Sequence, residues 1–278
     1  MSVRHEDGSL AGAGDERIYW QAWLPEGDPR ALVVLAHGVS EHGGRYAWVG
    51  ERLVERGFAL YAGDHRGHGR STGARAVIDR MQNAVRDLDA VVELARASHP
   101  STKAFLLGHS MGGAVALDYA FEHQDRFDGL VLSAPAAKLE AAPAVVRLAG
   151  RVLSVVAPRA GVFEIDSTAV SRDPAVVRDY DADPLNHHGK LPARTVAELS
   201  GSIGAFPERV GGLTLPILTM HGSEDRLTPP EGSEMVVERA GSEDKSIIRY
   251  DGLYHELLNE PERQKVLDDI VAWMEARL

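Results

Sequence analysis

The stretch KAFLLGHSMGGAVALDY, residues 103 to 119, constrains the fold more than any other part of this chain. An apolar run, Phe105-Leu106-Leu107, arrives at Gly108-His109-Ser110-Met111-Gly112-Gly113, and a small, apolar, helix-forming segment leaves. This pattern predicts a strand, a sharp turn and a helix. A serine hydroxyl is a poor nucleophile unless it stands exposed, within reach of a base and beside donors that can hold a developing oxyanion. In a G-x-S-x-G elbow the glycines remove side chains that would collide where strand doubles back into helix, which leaves Ser110 at the tip. The backbone N–H of Met111, at the start of that helix, then points toward the oxyanion.

The bare pattern occurs twice. The second match, Gly69-Arg70-Ser71-Thr72-Gly73, follows the polar Asp64-His65-Arg66-Gly67-His68, with no strand before it and no apolar helix after. Ser71 therefore reads as a loop residue and Ser110 as the nucleophile.

Around the elbow the chain alternates strand and helix. Arg17 to Leu24 mixes β-formers with polar residues; Ala31 to Ala36 (ALVVLA) is continuously apolar, as in a strand buried on both faces of a parallel sheet. A helix from about Ala47 to Arg56 leads to a strand at Phe58 to Ala62, and Asp79 to Ala97 repeats apolar residues at helical spacing before Ser98-His99-Pro100 stops it. Gly129 to Ser133 is strand-like again. From about Ala136 to Val210 the rhythm breaks into an apolar helix around Leu148 to Val156 and a Pro-, Asp-, His- and Arg-rich remainder without strands. It resumes with a strand at Ile217 to Met220, a helix near Glu231 to Arg239, a strand at Lys245 to Tyr250 and a last helix from about Pro261. The expected fold class is thus α/β: a mostly parallel sheet flanked by helices, residues 1–135 and 211–278, with an inserted, mostly helical cap at 136–210. A chain of 278 residues, 44% apolar, is long enough for such a domain. The polar, Gly-rich first fifteen residues say nothing about function.

Net charge excludes some partners. With 30 basic against 41 acidic side chains, a balance of −11, and no basic cluster, nucleic acid is not expected. No cysteine is present, so disulfides and Cys-ligated metals are excluded. His65 and His68 lack the further ligands that would complete a metal site, and no metal or cofactor is expected. The N-terminus has no apolar signal core, and no segment approaches the roughly eighteen apolar residues of a membrane span. The expected location is cytoplasmic or peripheral to the membrane or cell envelope.

A serine nucleophile needs a base and a group that orients it, and both appear at strand ends. After the strand at Ile217 comes His221-Gly222-Ser223-Glu224-Asp225, and after the last strand comes Leu253-Tyr254-His255-Glu256. His255 is the candidate base; Asp225, with Glu224 and Asp251 as competitors, would fix its tautomer and stabilise the imidazolium. Of the other histidines, His37 and His221 read as bonding backbone at strand-end turns, and His109 as packing beneath the elbow. The second oxyanion donor is expected from the loop after ALVVLA, as the N–H of Val39.

AHGVSEHGGRY, DHRGHGRS, LLGHSMGG, VLSAP, HGSEDRL and GLYHELLNEPER, with Ser171-Arg172-Asp173-Pro174 and Tyr180-Asp181-Ala182-Asp183-Pro184-Leu185 in the insertion, carry a family resemblance. The chain resembles monoacylglycerol lipases of the α/β-hydrolase superfamily, most of all the actinobacterial, mycobacterial-type members. That resemblance implies hydrolysis of 1- or 2-monoacylglycerol to glycerol and a fatty acid through an acyl-enzyme on Ser110. It implies that Glu41, Arg45 and Tyr180 form or support the glycerol end of the pocket. It also implies that an apolar cap guides the acyl chain and touches lipid surfaces. Contact between copies through the cap is a further partner expectation. A lysophospholipase or general carboxylesterase on the same scaffold is the alternative, and a non-catalytic lipid-binding or sensing module a remote one. Val39-Ser40 departs from the small residue followed by glycine found in many relatives.

Overall fold

The computed structural model describes residues 3–138 and 144–278, and the side chains of 144–147 lie outside that description together with 139–143, five positions of the expected insertion. Ten strands and eight α-helices follow one another along these residues. The first half holds β1 (Arg4–Ala11), β2 (Arg17–Leu24), β3 (Ala31–Ala36), α1 (Ala47–Glu55), β4 (Phe58–Gly63), α2 (Met81–Ser98), β5 (Lys103–His109), α3 (Met111–His123) and β6 (Gly129–Ser133). Then come α4 (Ala144–Val156), β7 (Gly161–Phe163), α5 (Pro174–Ala182), β8 (Leu191–Pro192), α6 (Ala193–Arg209), β9 (Ile217–Gly222), α7 (Glu231–Arg239), β10 (Lys245–Tyr250) and α8 (Arg263–Glu275).

Eight strands form one sheet in the order β1-β2-β4-β3-β5-β6-β9-β10. The six from β4 to β10 run parallel, and β2 and β1 add antiparallel pairs at one edge. This is the mostly parallel sheet expected from the apolar runs. Every residue of β3 is buried because the strand lies at the centre, with Leu32, Val34 and Ala36 packed under one helical layer and Ala31, Val33 and Leu35 under the other. One layer draws on α2, α3 and the end of α6, the other on α1 and α8.

One strand had no counterpart in the sequence reading, and one expectation fails. Within the first fifteen residues β1 pairs along its whole length with β2, from Arg4 opposite Leu24 to Ala11 opposite Arg17. Its sequence, RHEDGSLA, carries little apolar signal because an edge strand mostly exposed to solvent is held by backbone hydrogen bonds. The segment between β6 and β9 is not strandless, since β7 and β8 pair antiparallel. Strands of three and two residues are too short for any alternation to register.

The segment between β6 and β9 is bound to the sheet domain at several points. Glu260, fully buried, takes the Arg172 N–H at 2.8 Å and the Arg172 Nε at 2.6 Å. Glu256 N–H donates to the Val170 carbonyl at 2.8 Å, and His187 N–H to the Ser40 carbonyl at 2.9 Å. The second half of α6 reaches the sheet domain itself, where Ile203 and Phe206 are buried in the same core as α3.

Candidate active site

Ser110 sits between β5 and α3 with φ 52° and ψ −119°, a left-handed conformation that a non-glycine residue holds only under constraint. The constraint is close packing. A Cβ on Gly108 would lie 2.7 Å from the Gly112 carbonyl oxygen and 2.8 Å from the Ala116 Cβ, and one on Gly112 would run into the Ala36 and His37 carbonyls. Glycine at both positions lets α3 close onto β3 and β5. The Ser110 N–H donates to the Ser133 carbonyl at 3.1 Å, which ties the turn to β6.

Asp225 and His255 meet at the ends of β9 and β10. His255 Nδ1 lies 2.7 Å from Asp225 Oδ2. The carboxylate is fully buried and densely held: Oδ1 accepts the N–H groups of Leu227 and Thr228 at 2.8 and 3.0 Å, and Oδ2 the Thr228 hydroxyl at 2.9 Å. Burial would raise the carboxyl, but the His255 and His221 partners outweigh it and hold Asp225 far below the usual range. For His255 burial opposes the charge, yet the Asp225 carboxylate prevails and the imidazole is raised above its ordinary value of 6.5. The rival carboxylates are elsewhere, Glu224 and Asp251 both being exposed.

One cavity of about 220 Å³ collects these groups: Ser110, His255, Val39, Met111, Glu41 and Tyr180 all line it. Among the described residues neither the Val39 nor the Met111 N–H has an acceptor. Arg45 is not in the lining; it stands behind Glu41 and Glu256. Its guanidinium bonds Glu41 Oε2 at 2.7 Å, grips both Glu256 oxygens at 2.7 Å, and lies 4.9 Å from the Tyr180 ring centroid. Burial works against the Glu256 charge, but Arg45 overcomes it and brings the carboxyl down to about 2. Burial moves Glu41 the other way, upward, with Glu256 adding to it. Phe163, Leu191, Val196, Leu199 and Ile203 give the same cavity an apolar wall.

Several contributors had no clear sequence signal. Thr228 sits three residues after Asp225, the spacing at which a hydroxyl folds back on an Asx turn. For Glu256 the one sign in the sequence is a lone carboxylate in the otherwise apolar LYHELL beside His255. His221 does bond backbone, its Nε2 being 3.1 Å from the Thr228 carbonyl, and it also reaches Asp225 Oδ2 at 3.0 Å. His109 is buried, with its ring centroid 4.8 Å from that of His255 and its Nδ1 donating to the Ser133 carbonyl; burial, then His255, pull its pKa down to about 3. Ser71 is a structural residue: its hydroxyl donates to the Asp64 carbonyl at 2.6 Å and accepts the Tyr19 N–H at 2.9 Å. Among the described residues no group of three His, Asp or Glu could hold a metal ion.

A parallel sheet with a strained serine at a strand-to-helix turn, and an Asp–His pair at later strand ends, defines an α/β-hydrolase. A family model described as serine aminopeptidase, S33, matches residues 27–262. A monoacylglycerol lipase of Mycolicibacterium smegmatis is 44% identical over the whole of both chains. Human monoglyceride lipase is 36% identical, covering 100% of this chain and 93% of its own. The crystal structure of Paleococcus ferrophilus monoacylglycerol lipase superposes over the full length of both chains with a TM-score of 0.82 at 29% identity. The chain belongs to the monoacylglycerol lipase family of α/β-hydrolases.

Proposed function

We propose that this protein is a carboxylic ester hydrolase that cleaves monoacylglycerol to glycerol and a fatty acid. Ser110 attacks the ester carbonyl while His255 takes its proton and passes it to the departing glycerol oxygen, leaving an acyl-enzyme. Water, deprotonated by the same imidazole, then releases the fatty acid. Asp225 holds the imidazole in the tautomer whose Nε2 accepts, and the Val39 and Met111 N–H groups receive the oxyanion. The observation that carries this reading is one cavity lined both by Ser110 and the Asp225-bound His255 and by a set of apolar side chains. An acyl chain fits such a wall better than a polar substrate does.

Residues 136–210 are the cap in this reading. The glycerol end is the polar side formed by Glu41 and Tyr180, braced by Arg45. We further infer that the cap rests on a lipid surface. Leu148, Val152, Val155 and Val156 on α4 are 54% to 72% exposed, and Val162 and Phe163 on β7 extend the apolar area. With a net charge of −11, attachment rests on apolar contact rather than on attraction to anionic lipid. A second copy covering the same face is the competing arrangement, and a concentration-dependent rise in sedimentation coefficient would reveal it. Among the described residues no helix is long and apolar enough to cross a membrane.

The test is glycerol release from monoolein, beside turnover of lysophosphatidylcholine and p-nitrophenyl acetate, by wild type and Ser110→Ala. Monoolein should be preferred, and kcat should fall by roughly 10⁶-fold in the variant. Faster turnover of either other ester would replace the substrate assignment with the general esterase or lysophospholipase reading.

A further inference from the structure

The Val39 N–H belongs to the Gly38–Val39 peptide, whose orientation is gripped from two sides. His37 Nδ1 lies 2.7 Å from the Gly38 carbonyl oxygen, and since that oxygen can only accept, Nδ1 carries the proton. His37 Nε2 accepts the His65 N–H at 2.9 Å. The ring is therefore one neutral tautomer, fixed by two backbone partners. On the other flank the Gly38 N–H donates to Glu41 Oε1 at 2.6 Å, and that oxygen also takes the Tyr46 hydroxyl at 2.9 Å.

A trans peptide points its N–H opposite to its C=O, and no described peptide bond is cis. With the carbonyl turned to the His37 ring, the Val39 N–H faces the other way, toward the cavity that Val39 lines. Gly38 has little steric means of its own to resist a flip. A side chain there is not available as a brace, because a Cβ would come within 2.9 Å of Glu41 Oε1 and 3.3 Å of the Ser110 Cβ.

We propose that His37 is a positioning residue for the oxyanion hole: its Nδ1–H pins the Gly38 carbonyl, so the Val39 N–H stays aimed at the substrate oxygen. A flipped peptide would instead present a carbonyl to the anion. The inference rests on the ester hydrolase reading. Burial first, then His65 and His68, hold the His37 imidazole well below its ordinary value, consistent with a ring that stays neutral and keeps Nε2 free to accept. His65 closes the arrangement, its Nε2 lying 3.2 Å from the His37 carbonyl.

The experiment compares wild type, His37→Leu, His37→Asn and Ser110→Ala on a soluble ester. Two inhibitors accompany it: an alkyl trifluoromethyl ketone, whose serine adduct places an oxyanion in the hole, and an ether analogue of monoacylglycerol, which does not. For His37→Leu we expect kcat to fall on the order of 10²-fold, the size of losing one oxyanion donor, with KM within about threefold. Ketone affinity should fall in parallel and ether affinity should hold. His37→Asn, whose amide can donate to the same carbonyl, should recover about tenfold of that loss. A folded His37→Leu variant with unchanged kcat, or equal weakening of ketone and ether, overturns the proposal while the reaction class stands. A wild type that turns over no ester overturns the reaction class instead. Should His37→Leu not fold, long-range ¹H–¹⁵N spectra of the wild type decide: a protonated Nδ1 with a bare Nε2 supports the pin, and the opposite tautomer refutes it.

Discussion

Asp225, behind the His255 that lines the cavity, and Ile203, which lines it directly, are held in opposite ways. Every lone-pair direction of the Asp225 carboxylate is spoken for by Leu227, Thr228, His221 and His255. Ile203, with Val196 and Leu199 on the same face of α6, meets the cavity only through apolar surface. The floor works by direction, since a hydrogen bond weakens steeply off its axis, whereas the wall works by area and volume. Changes to the floor should therefore reduce rate for every ester alike, and changes to the wall and cap should act according to how the acyl chain is delivered.

The strongest challenge to that contrast is Asp225→Asn. The side chain keeps its shape but loses the charge that fixes and charges His255, so kcat should fall by roughly 10⁴-fold. The factor should be the same for butyryl and oleoyl esters; a loss that grows with chain length would mean that floor and wall are not separate. In the wild type, turnover needs neutral His255, whose folded value is raised above 6.5 by Asp225 against burial. kcat/KM should consequently fall on the acid side with a midpoint above 6.5. An acid limb centred below that value would show that the carboxylate does not prevail.

The same contrast explains what the sequence disclosed. Strands β3 and β5 and the elbow were legible because burial on both faces demands unbroken apolar runs, and because a strand-to-helix reversal demands glycine at Gly108 and Gly112. The positions of His255 and Asp225 followed from strand ends. Arg45 was legible only as a resemblance, and its actual place behind Glu41 and Glu256 depends on a partner 211 residues away. Pattern reading covers neighbours along the chain, not such pairs. Strand β1 escaped because backbone pairing needs no particular side chain, and β7 with β8 because they are shorter than the period they would have to display.

On the cap side the effect should be smaller and conditional. Replacing Leu148, Val152, Val155 and Val156 together by serine removes exposed apolar area without touching the floor. We expect about a tenfold loss on emulsified monoolein, through lost partitioning to the lipid surface, and no change on a soluble ester. Equal losses on both substrates would assign the face to packing rather than to lipid.

The smallest effect should arise at the seam between the two sides. Ser40 follows the proposed oxyanion donor with φ 66°, where a side chain costs about 1 kcal/mol and glycine does not. Its carbonyl, not its side chain, accepts the His187 N–H from the inserted segment at 2.9 Å, and glycine retains that carbonyl. Glycine also brings greater entropy to the unfolded chain, worth ~0.5–1 kcal/mol, so relief of strain and loss of entropy nearly cancel. Ser40→Gly should accordingly shift Tm by no more than about 2 °C and leave kcat within about twofold. A drop in Tm well beyond that, with kcat intact, would show that the Ser40 side chain itself fastens cap to floor. A drop in kcat at unchanged Tm would show instead that the left-handed turn at Ser40 helps to aim the Val39 N–H, extending the floor's dependence on direction one residue further along the loop.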